Sequence, residues 1–385
     1  MIISFLRTAA FRNLADATVA TSAKNIFLVG ENGQGKSNFL EAIYFCSYAS
    51  SFRGVRDSDI AQNGKNNFSA EITITPLPAA DNPHSDVLIK FEKNKKTVLI
   101  DGKRAEDRKQ LLSIAPCIVF CHEDMEFITG SPERRRWFFD QVLSLSDPVY
   151  LDDLRRYRWI LKSRNSILRN LTNGTNIASQ CKDDTASGQE LLDALDSQFV
   201  IYGLRLMEKR ETAARLFSEV FTTLYEEVSG VSGMTVQYMP SWKNVDENET
   251  LACLLKRRPA DFAAGISLSG PHRDRYAFSL DGTDFAGYAS TGQRRLLALL
   301  LRVAQARRYS GTTGRKPILL LDDVLLEMDS EKRRRFLSVL PGYDQAFYTF
   351  LPDEPYQRYQ NEDTLIYFVR NGILENASCY GKNRG

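Results

Sequence analysis

The stretch Gly30-Glu31-Asn32-Gly33-Gln34-Gly35-Lys36-Ser37 decides the fold. It fits G-x-x-x-x-G-K-[ST], a loop whose backbone N–H groups surround a phosphate. The apolar run Ile26–Val29 before it predicts a buried strand, and the apolar residues at helical spacing from Asn38 to about Ser50 predict a helix. In this strand–loop–helix context we expect Lys36 to reach the β- and γ-phosphates of a nucleotide. We expect the Ser37 hydroxyl to ligate Mg²⁺.

The composition is that of an ordinary soluble protein of about two domains, with 385 residues, 43% apolar and 25% charged. The net charge is only +2, so any nucleic-acid surface must be local. The sequence has no run of about 18 apolar residues, and Met1–Phe11 is too short and mixed for a signal peptide. The six cysteines form no C-x-x-C pair and the three histidines are scattered. We therefore expect free thiols, no zinc site and a cytoplasmic location.

A change of pattern along the chain predicts an insertion. A polar stretch, Asn170–Gly188, predicts an exposed loop between two long helices, Lys256–Pro259 is expected to close the helical segment, and a strand is expected at Ile266–Ser269. The three predicted segments are residues 1–128, the first part of an ATPase lobe with the phosphate loop and antiparallel strands; residues 129–262, an inserted helical arm; and residues 263–385, the second part of the lobe.

An apolar run that ends in two carboxylates is the second part of the predicted nucleotide site. Pro317–Leu321 predicts a buried strand, and Asp322 follows where a second Mg²⁺ contact is needed, through water. Asp323 would then lie beside the γ-phosphate, where it could orient or deprotonate the attacking water. Neighbouring residues of a strand point to opposite sides, so we expect the two acids to serve different ligands. Without the phosphate loop, the run would be interpreted as a buried strand with a solvated acidic end.

A short motif before the acidic strand narrows the class. Ser290-Thr291-Gly292-Gln293 precedes a strongly helical stretch that ends near Tyr309, and the pattern S-x-G-Q resembles the signature of ABC-type ATPases. In that class the signature faces the nucleotide of the opposite subunit, at a helix N-terminus. Glu327-Met328-Asp329 resembles the loop that reaches across the same dimer. Alone, Ser290–Gln293 would be interpreted as a helix cap with a glycine, but the order of these motifs favours the ABC interpretation.

The whole chain resembles the RecF family of bacterial DNA replication and repair ATPases, which is related to the heads of SMC proteins. The resemblance is carried by Phe11-Arg12-Asn13, Gly33–Asn38 followed by Leu40–Tyr44, Ser51-Phe52-Arg53, Gly130-Ser131-Pro132 with Arg134, Arg135 and Asp140, Gly270-Pro271-His272-Arg273-Asp274, Ser290–Gln293 and Leu321–Val324. It implies an α/β fold, an ABC/SMC-head-like P-loop ATPase with an inserted helical domain.

The resemblance also implies a function. ATP and Mg²⁺ would close two subunits of a homodimer around single- and double-stranded DNA at gaps, with RecO and RecR, to help load recombinase in DNA repair and the SOS response. Arg12 and Asn13 would lie over the nucleotide, and Asp323, Lys36 and Asp322 would be catalytic. The residues expected at the nucleotide are Arg12, Asn13, Gly30, Glu31, Asn32, Gly33, Gln34, Gly35, Lys36, Ser37, Asn38, Ser290, Gly292 and Gln293.

The chain departs from the family and class patterns at a few positions. Arg275 stands where the family usually has a carboxylate, and Arg294 where it usually has glutamine; both add positive charge near the signature. ABC ATPases at large carry glutamate at the position of Asp323 and a histidine at a late switch, and residues 345–349 contain no histidine. We therefore expect slow hydrolysis, with ATP acting as a timer or clamp.

A basic stretch between Asp152 and Asn170 is the predicted DNA-binding surface. Its cations would contact phosphates, and Tyr157 and Trp159 could either stack on bases or pack in the core. A helix of this kind can equally be a solvated face. The cations are Arg155, Arg156, Arg158, Lys162, Arg164 and Arg169, and weaker candidates are Lys256–Arg258 and Lys332–Arg335.

Three other classes of protein fit the sequence less well. A transporter ATPase would have a far shorter interval between Ser37 and Ser290. A structural SMC-like tether, the main alternative, would need long heptad arrays, which the sequence lacks. A small-molecule kinase would lack S-x-G-Q.

Overall fold

A computed structural model describes residues 1–76, 84–107, 109–172, 184–325, 328 and 330–377. Its strands are β1 Ile2–Ala9, β2 Ala17–Ala20, β3 Asn25–Val29, β4 Phe68–Thr75, β5 Ser85–Glu92, β6 Lys95–Ile100, β7 Lys103–Arg104, β8 Cys117–Phe120, β9 Met234–Met239, β10 Arg275–Leu280, β11 Thr283–Asp284, β12 Ile318–Leu321, β13 Ala346–Phe350, β14 Thr364–Arg370 and β15 Ile373–Asn376. Its α-helices are α1 Lys36–Tyr48, α2 Lys109–Ile114, α3 Glu126–Thr129, α4 Pro132–Ser146, α5 Pro148–Thr172, α6 Asp184–Ser229, α7 Glu247–Ala264, α8 Phe285–Tyr288, α9 Thr291–Thr313 and α10 Ser330–Val339.

The chain divides into two compact units, the first formed by residues 1–124 and 298–385 and the second by residues 125–297. The first unit contains a six-stranded sheet in the order β15-β14-β3-β13-β12-β8, in which every pair except β14–β15 is parallel. All residues of β3 are buried, as are those of β12 and β13. Parallel strands covered on both faces are mainly apolar, which is why Ile26–Val29 of β3 and Ile318–Leu321 of β12 form continuous apolar runs in the sequence.

The other sheet of the first unit is antiparallel, with six strands in the order β2-β1-β4-β5-β6-β7. The residues of β4 alternate between buried and partly exposed: Ala70, Ile72 and Ile74 are buried, as the alternation in the sequence predicted. These side chains join the core formed by α1 and the central strands. The tight turns between its strands use residues with positive φ, among them Asn94 (60°) and Gly102 (76°).

The second unit is mainly helical. Its core is formed by α4, α5, α6 and α7, with large buried side chains such as Tyr150, Tyr157 and Phe199. Pro132 occupies the first turn of α4, where its missing N–H has no helical partner in any case. A three-stranded sheet in the order β11-β10-β9 completes the unit.

The predicted end of the helical segment differs from the structure. Pro259 lies inside α7, and no strand forms at Ile266–Ser269 among the residues that the structure describes. Strand β10 pairs antiparallel with β9, which lies within the stretch predicted to be the helical arm. The return to the first unit therefore comes inside α9 instead of at residue 263. Most of the predicted loop at Asn170–Gly188 lies outside the described residues.

Within the described part of the chain, no helix combines the length and apolarity that crossing a membrane requires.

Candidate nucleotide-binding site

The phosphate loop connects the buried end of β3 to the first turn of α1. Gly33 and Gly35 have φ angles of 77° and 115°, in the region that favours glycine. A Cβ atom at Gly35 would lie 3.1 Å from the Asn13 Oδ1 atom and 3.2 Å from the Leu14 Cδ2 atom. The loop therefore depends on glycine both for its backbone conformation and for close packing, and it leads directly into the helix N-terminus that an anion prefers.

Lys36 is buried within this loop. Its Nζ atom donates to the Gly30 carbonyl at 2.6 Å and to the Glu31 carbonyl at 3.2 Å. The turn between β14 and β15 holds the loop from outside: the Gly372 N–H donates to the Gln34 carbonyl at 2.8 Å, and the Asn371 N–H donates to the Gln34 Oε1 atom at 2.7 Å. This turn was not among the predicted site residues, since it lies far along the chain from the loop.

Ser37 and Asp322 lie next to each other. The Ser37 Oγ atom donates to the Asp322 Oδ1 atom at 2.7 Å. Burial raises the pKa of Asp322 to about 6, against the lowering effect of the Ser37 hydrogen bond, and the nearby Asp323 carboxylate raises it further. The raised pKa shows that the negative charge of the buried Asp322 carboxylate is only partly compensated by its neighbours. A carboxylate of this kind beside the Ser37 hydroxyl provides oxygen ligands that suit a hard divalent cation.

Asp322 and Asp323 contact the same side chain, which corrects the expectation that they point to opposite sides of a strand. Strand β12 ends at Leu321, and Asp323 has a positive φ of 51°, so the alternation of side chains no longer applies. The Thr349 hydroxyl accepts from the Asp323 N–H at 2.7 Å, and its oxygen lies 2.9 Å from the Asp323 Oδ1 atom and 3.3 Å from the Asp322 Oδ1 atom. One hydroxyl therefore connects both carboxylates.

Thr349 is a site residue that was not predicted from the sequence. In the sequence, the only feature noted for residues 345–349 is that they contain no histidine. Thr349 is buried at the end of β13, the strand that lies between β12 and β3. Since parallel strands end at the same edge, a hydroxyl at this end of β13 was the available signal.

Asn13 contacts the loop, and its neighbour Arg12 is held on α1. The Asn13 Nδ2 atom donates to the Gly33 carbonyl at 3.0 Å, and the Asn38 Nδ2 atom donates to the Asn13 Oδ1 atom at 2.7 Å. Arg12 donates from Nε (3.0 Å) and Nη2 (2.8 Å) to the carboxylate of Glu41, which is fully buried. A charge-assisted, bidentate pair of this kind fixes the direction of the Arg12 side chain.

Arg53 joins the same cluster, although no role was predicted for it. Its Nη1 atom donates to the Asn38 Oδ1 atom at 2.8 Å and lies 3.3 Å from the Glu41 Oε2 atom. The Ser51 hydroxyl donates to the other oxygen of Glu41 at 2.5 Å. In the sequence Glu41 is only one position of the first motif, yet in the fold it anchors two arginines whose positive charge lies beside the loop.

Ser290–Gln293 lies in the second unit and forms the start of α9. The Ser290 N–H donates to the Gln293 Oε1 atom at 2.8 Å, and the Gln293 N–H donates to the Ser290 Oγ atom at 3.2 Å. This reciprocal pair is a capping box. Ser290, Gly292 and Gln293 are exposed, and among the described residues a Cβ atom at Gly292 would meet no heavy atom within 4 Å. Glu327 and Asp329 lie outside the described residues.

The basic face of α5 is partly neutralised by its own surroundings. Arg155 lies 3.8 Å from an oxygen of Asp152, and the Arg158 Nη2 atom lies 3.1 Å from the Asp140 Oδ2 atom. Arg156 contacts the ring of Trp159, with its guanidinium carbon 4.8 Å from the ring centroid. Arg155, Arg156, Arg158 and Lys162 are nevertheless exposed.

Arg164 is not part of this surface, which corrects its inclusion among the phosphate contacts. It is fully buried, with Nε 2.6 Å from the Asp196 Oδ1 atom and Nη1 2.7 Å from the Asp261 Oδ2 atom. The two aromatic residues also differ: Tyr157 is buried, whereas Trp159 is 53% exposed. Only Trp159 of this pair can stack on a base without unpacking the core.

Comparisons with known proteins identify the family. The family model of the RecF/RecN/SMC N terminal domain matches residues 2–373. The DNA replication and repair protein RecF of Treponema pallidum (strain Nichols) is 42% identical over 364 residues, which cover 94% of this chain and 97% of that protein.

Solved structures extend the comparison to the fold. A structure of the recombination mediator protein RecF with ATP in the RecFOR pathway has a TM-score of 0.84 at 26% identity, with 97% of each chain covered. The Smc head domain from Pyrococcus furiosus, with an extended coiled coil and bound to the C-terminal domain of ScpA, has a TM-score of 0.52 at 14% identity, with 100% of this chain and 99% of that chain covered. The second likeness concerns the fold alone. The fold is thus the α/β fold of ABC/SMC-head-like ATPases, and the chain belongs to the RecF family of DNA replication and repair proteins.

Proposed function

We propose that the chain binds Mg-ATP and uses it to join two copies into a dimer that holds DNA at junctions of single- and double-stranded DNA. It would act in the cytoplasm on the nucleoid, with RecO- and RecR-type proteins, to help load recombinase. Its ATPase activity would be slow and stimulated by DNA. The observation that carries this proposal is the hydrogen-bonded series Ser37–Asp322–Thr349–Asp323 beside the phosphate loop.

The residues of the site fit a nucleotide with its magnesium ion. Lys36 is a buried ammonium whose two hydrogen bonds go to carbonyls of the loop itself. Ser37 and Asp322 would hold Mg²⁺, and the N–H groups of the loop and Lys36 would hold the phosphates. When bound, ATP supplies the γ-phosphoryl group and Mg²⁺ neutralises charge on the phosphate oxygens. Arg12 and Asn13 would contact the remainder of the nucleotide, since Asn13 contacts the loop and Arg12 is held beside it in the chain by Glu41 of α1.

Asp323 is the residue best placed to act on water. Thr349 contacts its backbone N–H and its Oδ1 atom, which orients the carboxylate that would accept a proton from a water molecule. The aspartate is one methylene shorter than the glutamate of ABC ATPases at large. The residue that contacts it is a threonine, which cannot take up a proton as histidine does. Both features support slow hydrolysis.

The exposed start of α9 supports the dimer. Ser290, Gly292 and Gln293 lie at the N-terminus of a 23-residue helix, where an anion is stabilised. The capping box and this role are compatible, because Ser290 accepts one hydrogen bond and keeps its own O–H donor. In the ABC class this surface contacts the nucleotide of the other subunit, which would make dimerisation depend on ATP.

DNA binding is supported by family membership and by the exposed cations of α5. Arg155, Arg156, Arg158 and Lys162 would contact phosphates, and Trp159 would contact a base. This contribution depends on salt, since each neutralised phosphate releases counterions.

Sedimentation velocity with and without Mg-ATP and a gapped duplex tests the proposal. We expect the parent to dimerise with Mg-ATP and to bind the gapped duplex. Asp323→Asn keeps the size of the side chain and removes its basicity, so it should slow single-turnover hydrolysis by roughly 10²-fold. Its ATP-bound dimer on DNA should then outlive that of the parent. A parent that stays monomeric with Mg-ATP would refute the clamp, and parental hydrolysis by Asp323→Asn would refute the role of this aspartate.

A further inference from the structure

Two motifs that the nucleotide site does not use meet at one cavity of the second unit. Gly130–Asp140 contributes the start of α4, Gly270–Asp274 contributes the loop before β10, and α5 forms a further wall. The cavity has a volume of about 500 Å³, which lies within the range of small-ligand pockets. Its walls include Arg134, Arg136, Trp137, Arg158 and His272, together with Leu154.

A buried charge network holds these walls in place. Arg210 is buried and donates to Asp140 from Nη2 at 2.8 Å and to Asp274 from Nη1 at 2.9 Å. The Arg136 Nη1 atom donates to the Asp274 carbonyl at 2.7 Å, which connects α4 to the loop before β10. The buried Asp140 and Arg210 are therefore fixed by the core, whereas Arg134 and Arg158 at the mouth of the cavity are exposed.

The charges that line the cavity are mainly positive. The lining contains four arginines, Arg134, Arg136, Arg158 and Arg210, and two carboxylates, Glu133 and Asp140. Arg134 also pairs with Glu126, with its Nε atom 2.8 Å from the Glu126 Oε2 atom, and its two Nη groups remain as donors. Asp140 is already paired with both Arg158 and Arg210. Within the described residues Arg136 has no carboxylate within ion-pair distance and makes a single hydrogen bond, to the Asp274 carbonyl. Burial and the nearby charge of Arg210 lower the pKa of Arg136, and the carboxylates of Glu133, Asp274 and Asp140 offset this only in part.

The walls of the cavity also contain an indole and an imidazole that carry no charge at pH 7. Trp137 is 37% exposed and stacks on Phe127, with ring centroids 5.9 Å apart. His272 lies 2.9 Å from the Tyr157 hydroxyl through Nδ1 and 3.0 Å from the Ser267 carbonyl through Nε2. Burial lowers the pKa of His272 to about 4, so the imidazole is neutral at pH 7 and adds no charge. Guanidinium groups beside a partly exposed indole match a phosphate with its base.

We propose that this cavity holds one unpaired nucleotide of a DNA strand, with its phosphate at Arg134 and Arg136 and its base at Trp137. The inference rests on the proposed DNA-binding function and adds to it a place where a base is recognised. Arg136 retains most of its N–H donors for a phosphate, since a guanidinium carries five and the structure uses one. A base that stacks on Trp137 would be accepted whatever its identity, because every base has a π-face.

The test measures fluorescence anisotropy of the full-length protein, with Mg-ADP present to occupy the phosphate loop. The probes are a fluorescein-labelled thymidine hexamer and an abasic hexamer with the same phosphates. Trp137→Ala should weaken binding of the thymidine hexamer by about 10-fold and leave the abasic hexamer unchanged. Arg134→Gln and Arg136→Gln should weaken both probes, whereas Arg215→Gln, an exposed arginine of α6, serves as the matched control and should weaken neither.

Three outcomes would overturn the inference. One is that Trp137→Ala binds both hexamers as the parent does; another is that it weakens both equally. The third is displacement of the hexamer by thymidine monophosphate at the same concentration per nucleotide, which would assign the cavity to a free nucleotide. Dimerisation with Mg-ATP is measured in the same variants. If Trp137→Ala dimerises normally and binds both probes like the parent, only this inference fails; if the parent does not dimerise but discriminates the probes, only the proposed clamp fails.

Discussion

The Thr349 hydroxyl gives the sharpest test of how the two carboxylates work together. Thr349→Val keeps the shape of the side chain and removes the oxygen that accepts from the Asp323 N–H at 2.7 Å and contacts its Oδ1 atom at 2.9 Å. Thr349→Ser keeps that oxygen and removes only a methyl group. The two variants therefore separate the hydroxyl from the packing of a residue that is 4% exposed.

The magnitude follows from the hydrogen bonds that are lost. A buried N–H left without a partner costs about 1–3 kcal/mol, and a hydrogen bond to a charged group contributes about 1.5–3 kcal/mol. We expect Thr349→Val to lower the free energy of unfolding by about 2 kcal/mol, since part of the loss is recovered by relaxation. Asp323 would lose its orientation but keep its carboxylate. Hydrolysis should fall by roughly 10-fold or more, less than the roughly 10²-fold expected when the carboxylate itself is removed.

The assay combines single-turnover ATP hydrolysis with urea unfolding and equilibrium ATP binding. ATP binding should stay within about twofold of the parent in both variants, because the phosphate contacts expected from Lys36 and Ser37 are unchanged. Thr349→Ser should retain most of the parental hydrolysis. Equal hydrolysis by parent and Thr349→Val would refute the claim that this hydroxyl orients Asp323. A loss of the same size in Thr349→Ser would show that packing, and not the hydroxyl, is responsible.

The remaining predictions test the other contacts of the proposed clamp. Lys36→Met should weaken ATP binding at least about 10-fold and abolish ATP-dependent dimerisation. If calorimetry gives the same nucleotide affinity for this variant and the parent, the assignment of the loop as the nucleotide site is refuted. Ser290→Arg should leave ATP bound to the monomer but block pairing, whereas Ser290→Asp keeps a helix cap and should block pairing through charge alone; normal dimers by sedimentation in both would make Ser290 only a cap. Changing Arg155, Arg156 and Arg158 to Glu should reduce DNA affinity and lower the salt slope by about one unit for each lost phosphate contact, and an unchanged slope would make α5 a solvated face.

The nucleotide half of the fold was predictable because its signals are local. An apolar run, a glycine loop and a helix follow one another, and each forms the structure that its own residues favour. β3 is buried, Gly35 has a positive φ, and α1 begins at Lys36. The acidic strand was equally clear, since Ile318–Leu321 is covered on both faces. Its partners were not, because a parallel strand order brings together segments that are distant in sequence.

Thr349 and Glu41 show what the sequence could not supply. Glu41 lies in a predicted helix and Thr349 in a segment for which no structure was predicted, and the role of each comes from which neighbours the tertiary fold places beside it. Thr349 lies on β13, next to the acidic strand, and Glu41 faces Arg12 and Arg53 from α1. The boundary of the second unit was missed for a related reason: β9 and β10 pair across an intervening helix, so no local change of composition marks the end of the unit.

Burial separates the arginines of the helical unit into two groups that look alike in the sequence. Arg164 and Arg155 belong to the same basic stretch, yet Arg164 is fully buried between Asp196 and Asp261, and Arg155 is exposed. A buried guanidinium that loses one carboxylate partner destabilises the fold by about 3–5 kcal/mol, whereas an exposed ion pair contributes about 0–1 kcal/mol. Charge reversal at Arg164 would therefore lower DNA affinity by unfolding the unit, without any information about DNA. Only substitutions at the exposed cations report on a nucleic-acid surface. Arg164, which is paired with Asp196 and Asp261, must therefore be left unchanged when that surface is mapped.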